Sequence, residues 1–491
     1  MEANPYMKRY VIGMDAGTTS VRSVVYDLKT RKIVAIKRAK IRQYYPHKGW
    51  VEQDAEEIFF MLKRTLEEVI IEMDKPLEEY VGVGLTNQRE TVVAFNRESD
   101  KPTSKAIVWQ CRRTNDFIAN IPSDIKEIIK QKTGLIPDAY FSASKMKWIK
   151  ENIKRAKDLD ASGKLYMGTL DSYLCYKFTG NFVTDTTNAS RTMLYNINTL
   201  DWDNELLSYF GITRENLPKV VSSNAYIGDI HEIGLPLLSV IGDQQSSLVG
   251  NGAISRGKAK NTYGTGCFIL LNTGDKPEFS NNILTTIGYT IDGKTTYALE
   301  GSVFSACSAL NWARENLDIS EDFESLDKKM ISLNSNNGVY FVPAFTGLGA
   351  PYWYTKAQAS LTGMTFDTNK YTIIRSVYES MAYNTKAIID EMTKSNNLKL
   401  KELRVDGGGS NSKFLLSFQA DMLNKPVVTG DSTEATVLGC IYLACVSAGI
   451  LTLKDIEELS KPTKGYEPTM DKKNRDALYC GWERAVKNII H

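Results

Sequence analysis

The 491-residue sequence predicts an α/β protein made of two related halves. Apolar runs of strand length alternate with helical periodicity to about residue 250, the pattern of strands joined through helical crossovers. The pattern then restarts. Each half opens on a hairpin that turns at glycine flanked by hydroxyls: Asp15-Ala16-Gly17-Thr18-Thr19-Ser20 in the first, Tyr263-Gly264-Thr265-Gly266 in the second. That repetition suggests duplication. A chain of this length also exceeds what one core supports, so the halves are set at residues 1–252 and 253–491, with a packed hinge rather than a low-complexity linker between them.

Taken in order, residues 10–15 read as a strand that passes through the Gly-Thr-Thr-Ser turn into a second strand at 23–26. This is a hairpin, not a strand–helix unit. Asp54 is placed to cap a helix over 55–73. An apolar strand at 81–85 runs into Thr86-Asn87-Gln88-Arg89-Glu90. Leu238 to Ile241 form another strand, followed by a loop carrying Gly242-Asp243-Gln244-Gln245. In the second half, 258–271 reads as strand, glycine turn and strand; 300–316 and 373–393 as helices; 403–405 as a strand ending in Asp406-Gly407-Gly408-Gly409; and 437–449 as a helix.

Composition excludes several classes of function. The residues are 42% hydrophobic and 24% charged with a net charge of +2, which offers no nucleic-acid surface. Residues 437–451 are the longest apolar stretch. They are interrupted by Gly439, Ser447 and Gly449 and are too short to cross a bilayer, so a buried core helix is expected. Lys8 and Arg9 lead straight into a strand with no apolar leader, and the seven cysteines are scattered without a C-x-x-C; both favour the cytoplasm. Histidine is confined to His47, His231 and His491, none beside a nucleophile, so acid–base work falls to carboxylates. His231 reads as a solvated loop residue.

Glycine turns with hydroxyls suit phosphate, because backbone N–H groups can approach an anion closely there. Asp15, at a strand end, is a candidate for Mg²⁺. By themselves the same residues also suit an ordinary polar turn. Asn87-Gln88-Arg89-Glu90-Thr91 places donors and acceptors side by side, as the hydroxyls of a polyol require, and equally suits a surface ion-pair cluster. Asp243, with uncharged neighbours in sequence, can take the proton of an attacking hydroxyl or cap its loop. Trp109 can wall a carbon skeleton or simply fill a core.

Together the segments DAGTTSVR (15–22), YPHKGWVEQD (45–54), GLTNQRET (84–91), AIVWQCRRT (106–114), YFSASKMKW (140–148), TNASRTML (187–194), GDQQSSL (242–248), AKNTYGTGCF (259–268), YALEGSVF (297–304), GVYFVPAFTGLGAPYW (338–353) and RVDGGG (404–409) resemble the FGGY family of carbohydrate kinases, in the family's own order. NQRET, IVWQCRRT and NASRTML resemble its glycerol-specific branch. The resemblance implies a two-domain actin-like ATPase fold, a duplicated ribonuclease H-like unit with an interdomain cleft. It also implies phosphorylation of glycerol by ATP with Mg²⁺, in a homodimer or homotetramer. The rivals are another polyol or pentulose as substrate, and an actin-like protein that binds nucleotide without turnover.

By the same resemblance, Arg89, Glu90, Tyr140, Asp243 and Gln244 bind the polyol, with Trp109 and Phe268 on its carbons. Asp243 is the general base, and Asp15 and Asp243 stand on the metal side. Thr18, Thr19, Ser20, Arg22, Thr265, Cys307, Asn311, Gly408 and Ser412 fall on nucleotide positions. Four features depart from the family pattern. Ala16 replaces a glutamine; Cys307 and Asn311 replace a glycine and a glutamine; Ser412 replaces an asparagine; and residues 226–238 lack the loop that binds fructose bisphosphate in some bacterial members.

Overall fold

The computed structural model describes residues 8–394, 398–430 and 433–490. Its first large sheet contains Tyr10–Ala16 (β1), Ser20–Asp27 (β2), Lys32–Lys40 (β3), Tyr80–Asn87 (β4) and Pro236–Gly242 (β5), in the order β3-β2-β1-β4-β5, with the short strand Gly228–Asp229 on the β5 edge. The second contains Lys258–Tyr263 (β6), Cys267–Gly274 (β7), Leu284–Ile291 (β8), Lys294–Val303 (β9), Glu402–Asp406 (β10), Val427–Thr429 (β11) and Lys464–Tyr466 (β12), in the order β8-β9-β7-β6-β10-β11-β12. Within each sheet three antiparallel strands are followed by two parallel ones: β3-β2-β1 then β4-β5, and β9-β7-β6 then β10-β11. The duplication is legible in topology where residue identity is too low to show it.

β1 is buried at every position because helices cover both faces of its sheet. Ile12 and Met14 share a core cluster with Ile58, Leu62, Leu66 and Val69 of helix Ala55–Met73 (α1). Alternation sends Val11 and Val24 to the other face, against Val437 and Ile441 of helix Ala435–Ser447 (α2). Asp54 starts α1 as the sequence predicts, accepting from Glu56 N at 3.0 Å and Glu57 N at 3.2 Å. The helix over the first sheet's second face thus comes from the other half of the chain, and the two halves are interlocked.

Backbone contact fixes that helix. A Cβ on Gly13 would stand 2.6 Å from Val437 Cγ2, and one on Gly84 would stand 2.4 Å from the Cys440 carbonyl oxygen. The helix after β5, Asp243–Gly250 (α3), is held still more tightly. A Cβ on Gly250 would lie 1.9 Å from Ala435 O, and one on Gly439 would lie 1.9 Å from Ser246 O. These glycines let α2 and α3 touch backbone to backbone.

Two sequence expectations are corrected. Residues 300–316 are not one helix: β9 runs to Val303, and the helix is Cys307–Asn316 (α4). Tyr297–Val303 is buried throughout, so the alternation that marks a strand is absent from that stretch. The Gly242–Gln245 segment is not a loop, because α3 begins at Asp243 directly from the strand. The buried helix expected at 437–449 is present as Ala435–Ser447, with 448 and 449 outside it, and no helix among the described residues is long and apolar enough to cross a membrane. All seven cysteines are free; His491 lies outside the described residues.

Gly439→Ala should therefore lower the thermal midpoint, since overpacking of this kind costs about 1–3 kcal/mol or more. It should reduce activity with it, because α3 carries Asp243. A Gly439→Ala protein that melts like wild type would show that the helix contact is looser than described.

Candidate active site

Three neighbouring strands of the first sheet end together. Ala16 pairs with Asn87 across β1 and β4, and Gly242 pairs with Asn87 across β5 and β4. Asp15, the Asn87–Thr91 run and Asp243 are therefore delivered to one edge, at the carboxyl ends of parallel strands, where open α/β sheets place their ligands. The second sheet repeats this: Thr262 pairs with Asp406, so the Tyr263–Gly266 turn and the Gly407–Gly409 run emerge side by side.

The first hairpin is a closed turn, with Gly17 N donating to Ser20 O at 3.1 Å. Gln53 Nε2 donates to Thr18 O at 2.6 Å and Gln88 Nε2 to Gly17 O at 3.2 Å, so two glutamines hold the turn from beneath. Trp109 Nε1 donates to Thr18 Oγ1 at 3.0 Å, and the Trp109 ring meets Tyr140 edge-on at 5.6 Å between centroids. The predicted aromatic wall and the predicted phosphate turn thus adjoin. Thr19 is exposed and Ser20 half-buried. Arg22 Nε donates to Asp15 Oδ2 at 2.8 Å, and its Nη1 pairs with Glu434.

Arg89 is the hub of a buried charge cluster. Its Nη1 and Nη2 grip Glu300 at 2.6 and 2.9 Å, Nη1 also donates to Gln245 Oε1 at 3.1 Å, and Nε lies 3.2 Å from Asp243 Oδ1. Tyr140 OH stands 3.5 Å from Nη2, too far for a strong bond. Arg191 closes the group, donating from Nε to Glu90 Oε1 at 2.6 Å and from Nη2 to Glu300 Oε1 at 3.1 Å. Burial pushes the Glu300 carboxyl up, but Arg191 and Arg89 outweigh burial and hold it at about 2. Arg89 and Glu90 are not a surface pair: both are buried, their mutual contact is 3.9 Å between Nε and Oε1, and each makes its shorter ion pairs with residues from elsewhere in the chain.

Two backbone features shape the site. Glu90 adopts φ 60°, a left-handed conformation costly for a non-glycine residue and common where structure serves function. Gly242 leaves room for Arg89, since a Cβ there would meet Arg89 Cγ and Cδ at 2.8 Å.

Asp243 keeps a quarter of its side chain open. Burial nevertheless pushes its carboxyl up to about 6; Arg89 opposes the rise, while Glu90 and Asp15 add to it. Its neighbourhood is charged, which corrects the expectation drawn from its sequence neighbours. Gln244, half-buried, meets the buried Lys260 Nζ. Phe268 lies half-buried on β7 opposite Ser302.

Around the second turn, Thr265 is exposed and its carbonyl accepts from Ala306 N at 2.9 Å and Ser308 Oγ at 2.9 Å at the start of α4. Gly407 needs its φ of 83° and lacks room for a Cβ against Tyr263 O, whereas Gly408 faces open space. Cys307 is half-buried with Sγ 3.8 Å from Tyr263 O, and Asn311 is exposed. Ser412 Oγ is committed elsewhere: it pairs with Asp327 and accepts from Leu415 N at 3.0 Å as a helix cap.

The sequence reading missed Glu300, Arg191, Gln245 and Lys260. Each lies inside a quoted segment, but pairings such as Arg89 with Glu300, 211 residues apart, leave no trace in one sequence.

Residues 10–250 match the model of the N-terminal domain of the FGGY family of carbohydrate kinases, and residues 259–448 match that of its C-terminal domain. The chain is 44% identical to the glycerol kinase of Thermococcus gammatolerans over 99% of this chain and 98% of that one. It is 42% identical to the glycerol kinase of Carboxydothermus hydrogenoformans, over 98% of both. Among solved structures it is similar to Plasmodium falciparum glycerol kinase with ADP, with a TM-score of 0.92 at 33% identity over 98% of both chains. A gluconate kinase from Lactobacillus acidophilus, 24% identical over 97% of this chain and 98% of that one with a TM-score of 0.86, shares the fold.

Breaking the cluster should be costly. Glu300→Gln leaves two buried guanidiniums with one carboxylate between them, a loss on the order of 3–5 kcal/mol. Adding Arg191→Met should recover part of it by restoring charge balance. Thermal unfolding of the single and double variants measures both. A single variant as stable as wild type would mean that the cluster is not holding this part of the molecule.

Proposed function

The chain belongs to the FGGY family of carbohydrate kinases, and from that premise we propose that it transfers the terminal phosphoryl group of ATP to a terminal hydroxyl of glycerol, giving sn-glycerol 3-phosphate and ADP. Relatives bearing the glycerol kinase name match it from end to end, and one of them is seen with ADP. The observation within this chain that carries the reading is Asp243: a carboxylate set beside Arg89, with its proton affinity raised toward neutrality, at the edge where the predicted polyol and phosphate elements meet.

Phosphoryl transfer requires little covalent work from a protein; it requires positioning and charge. A glycerol hydroxyl both donates and accepts, so each is best met by one donor and one acceptor. Arg89 with Glu90, and Gln244 with Asp243, supply two such pairs. Nη1 and Nη2 of Arg89 each already donate to two protein acceptors, so its hold on substrate falls to Nε, which lies 3.2 Å from Asp243 Oδ1. Trp109, Tyr140 and Phe268 cover the carbons. Asp243 takes the proton of the attacking hydroxyl as the new O–P bond forms, and ADP leaves.

On the donor side Thr18, Thr19, Ser20, Arg22, Thr265 and Gly408 receive the phosphates, and Cys307, Asn311 and Ser412 border the base. The donor set fits Mg²⁺: Asp15 and Asp243 are hard oxygen ligands close enough for Asp15 to raise the Asp243 carboxyl. No group of three or more His, Cys, Asp or Glu among the described residues makes a complete cage, which suits an ion that keeps waters and phosphate oxygens. When bound there, Mg²⁺ would offset charge on the phosphate oxygens. The same reading places the enzyme in the cytoplasm as a homodimer or homotetramer.

ADP release coupled to a spectroscopic readout should depend on glycerol; strong turnover of a pentulose with none of glycerol would overturn the assignment. Asp243→Asn should lower kcat by roughly 10²-fold or more while glycerol binding changes little.

The pH dependence follows from the raised Asp243 carboxyl. The base works only when ionised, so kcat/KM should climb with pH, bend near 6 and then level. For stability the sign is opposite. A folded-state carboxyl pushed up from 3.8 favours the protonated fold, and that contribution is lost as pH rises through 6. Asp243→Asn should therefore be at least as heat-stable as wild type at pH 8 while nearly inactive. A variant both inactive and unstable would point to misfolding instead.

A further inference from the structure

Lys260 lies on β6, within the strand that leads to the Tyr263–Gly266 turn, and it is fully buried. Among the described residues no carboxylate oxygen stands within 4.0 Å of its Nζ, so this buried cation has no ion-pair partner. Its contacts are two neutral oxygens, Gln244 Oε1 and, at 3.0 Å, Thr262 Oγ1. Burial lowers its proton affinity to about 8, with Asp406, Glu300 and Asp243 pulling the other way, and it stays largely charged at neutral pH. An unpaired buried charge costs several kcal/mol. A methionine of similar length would serve the packing better, so packing does not explain the lysine.

The chemistry of the contact gives a role. An ammonium can only donate. Whatever the flip of the Gln244 amide in isolation, the atom facing Lys260 must be its carbonyl oxygen, and its NH₂ must then face the other way. We propose that Lys260 is a positioning residue that fixes the Gln244 amide so that it presents only hydrogen-bond donors to the polyol. Asp243 beside it presents only acceptors. The hydroxyl between them is thereby met by one donor and one acceptor, the pattern that selects an alcohol over a group that only donates or only accepts. This rests on the polyol reading above. Because Lys260 also holds Thr262, the same side chain ties the polyol side to the turn on the donor side.

The test is a double-mutant cycle on the full chain with Lys260→Met, Gln244→Leu and the pair, reading KM for glycerol, KM for ATP and thermal midpoint. Lys260→Met should raise the glycerol KM by roughly tenfold, the size of one hydrogen bond to substrate, and leave the ATP KM within about twofold. Its midpoint should hold or rise, because a buried unpaired charge has been removed. The double variant should match Gln244→Leu alone, since the lysine acts through that amide. Effects that multiply, or an ATP KM that rises while the glycerol KM does not, would mean that Lys260 meets the phosphates directly and would overturn the proposal. A Lys260→Met protein that loses stability would overturn it too, by showing the ammonium to be structural. Wild-type protein with no glycerol turnover would instead remove the polyol reading itself, a result distinct from either.

Discussion

Four buried charges hold this molecule's chemistry in place. Arg89, Glu90, Arg191 and Glu300 sum to zero, and every one is removed from water. Each ion carries a desolvation penalty of several kcal/mol, so such a group persists only when geometry and hydrogen bonds repay it. Here Glu300 is gripped by both terminal nitrogens of one guanidinium and one of a second. Glu300 stands on β9 of the second sheet, while Arg89 follows β4 of the first. The cluster therefore fixes the position of one sheet's loop against the other sheet's strand, and the site inherits that registration. Arg191 Nη1 is buried without a hydrogen bond, yet its guanidinium carbon lies 5.5 and 5.1 Å from the Tyr140 and Phe141 ring centres, whose π faces attract cations.

From this anchor, preorganisation spreads by contact. Glu90 keeps a strained backbone because its carboxylate is tied to Arg191. Asn87 and Asn188 exchange hydrogen bonds at 3.0 and 3.2 Å, and Asp185 caps the short helix that carries Asn188, so the loop before Arg89 is braced on both sides. Asp243 is placed by a different route: α3 is pressed against α2 at glycines, and α2 is pressed against the first sheet. Helices, strands and ion pairs all converge on a few polar side chains, as a site that works by positioning requires.

Much of this was legible in sequence, and the reason differs by feature. α1 was readable to the residue because amphipathic periodicity and an aspartate cap agree. The strands that carry Asp15, Asn87 and Asp243 were readable as apolar runs because both of their faces are covered. The β9–α4 junction was not, since burial on both faces erases alternation where the strand gives way to helix. Motifs supplied Arg89, Glu90 and Asp243, but not their partners. Glu300 and Lys260 act across the sheet-to-sheet boundary, and single-sequence reasoning has no access to contacts made by chain topology.

The donor side shows how a binding site can depart from its family's side chains without losing its shape. Cys307 fills space beside Gly409, where an added Cβ would come within 3.1 Å of its sulfur. Ser412 is drawn away to cap the helix Lys413–Leu423 and to bond Asp327, and Asn311 stays at the surface. Of these residues only Cys307 meets a turn, through its Sγ 3.8 Å from Tyr263 O and its N donating to Gly264 O at 3.2 Å, and the turn's own backbone bonds stay in place. The Ala16 carbonyl still accepts from Gln88 N at 2.8 Å, and Gly264 N still donates to Gly266 O at 2.9 Å. The turn geometry is set by backbone hydrogen bonds and by Gly266 and Gly407, which admit no substituent, whereas side chains at the rim are free to change. In the proposed enzyme the phosphates are thus the constrained part of the donor and the base the tolerated part: the cradle is written in main chain, the rim in replaceable side chains.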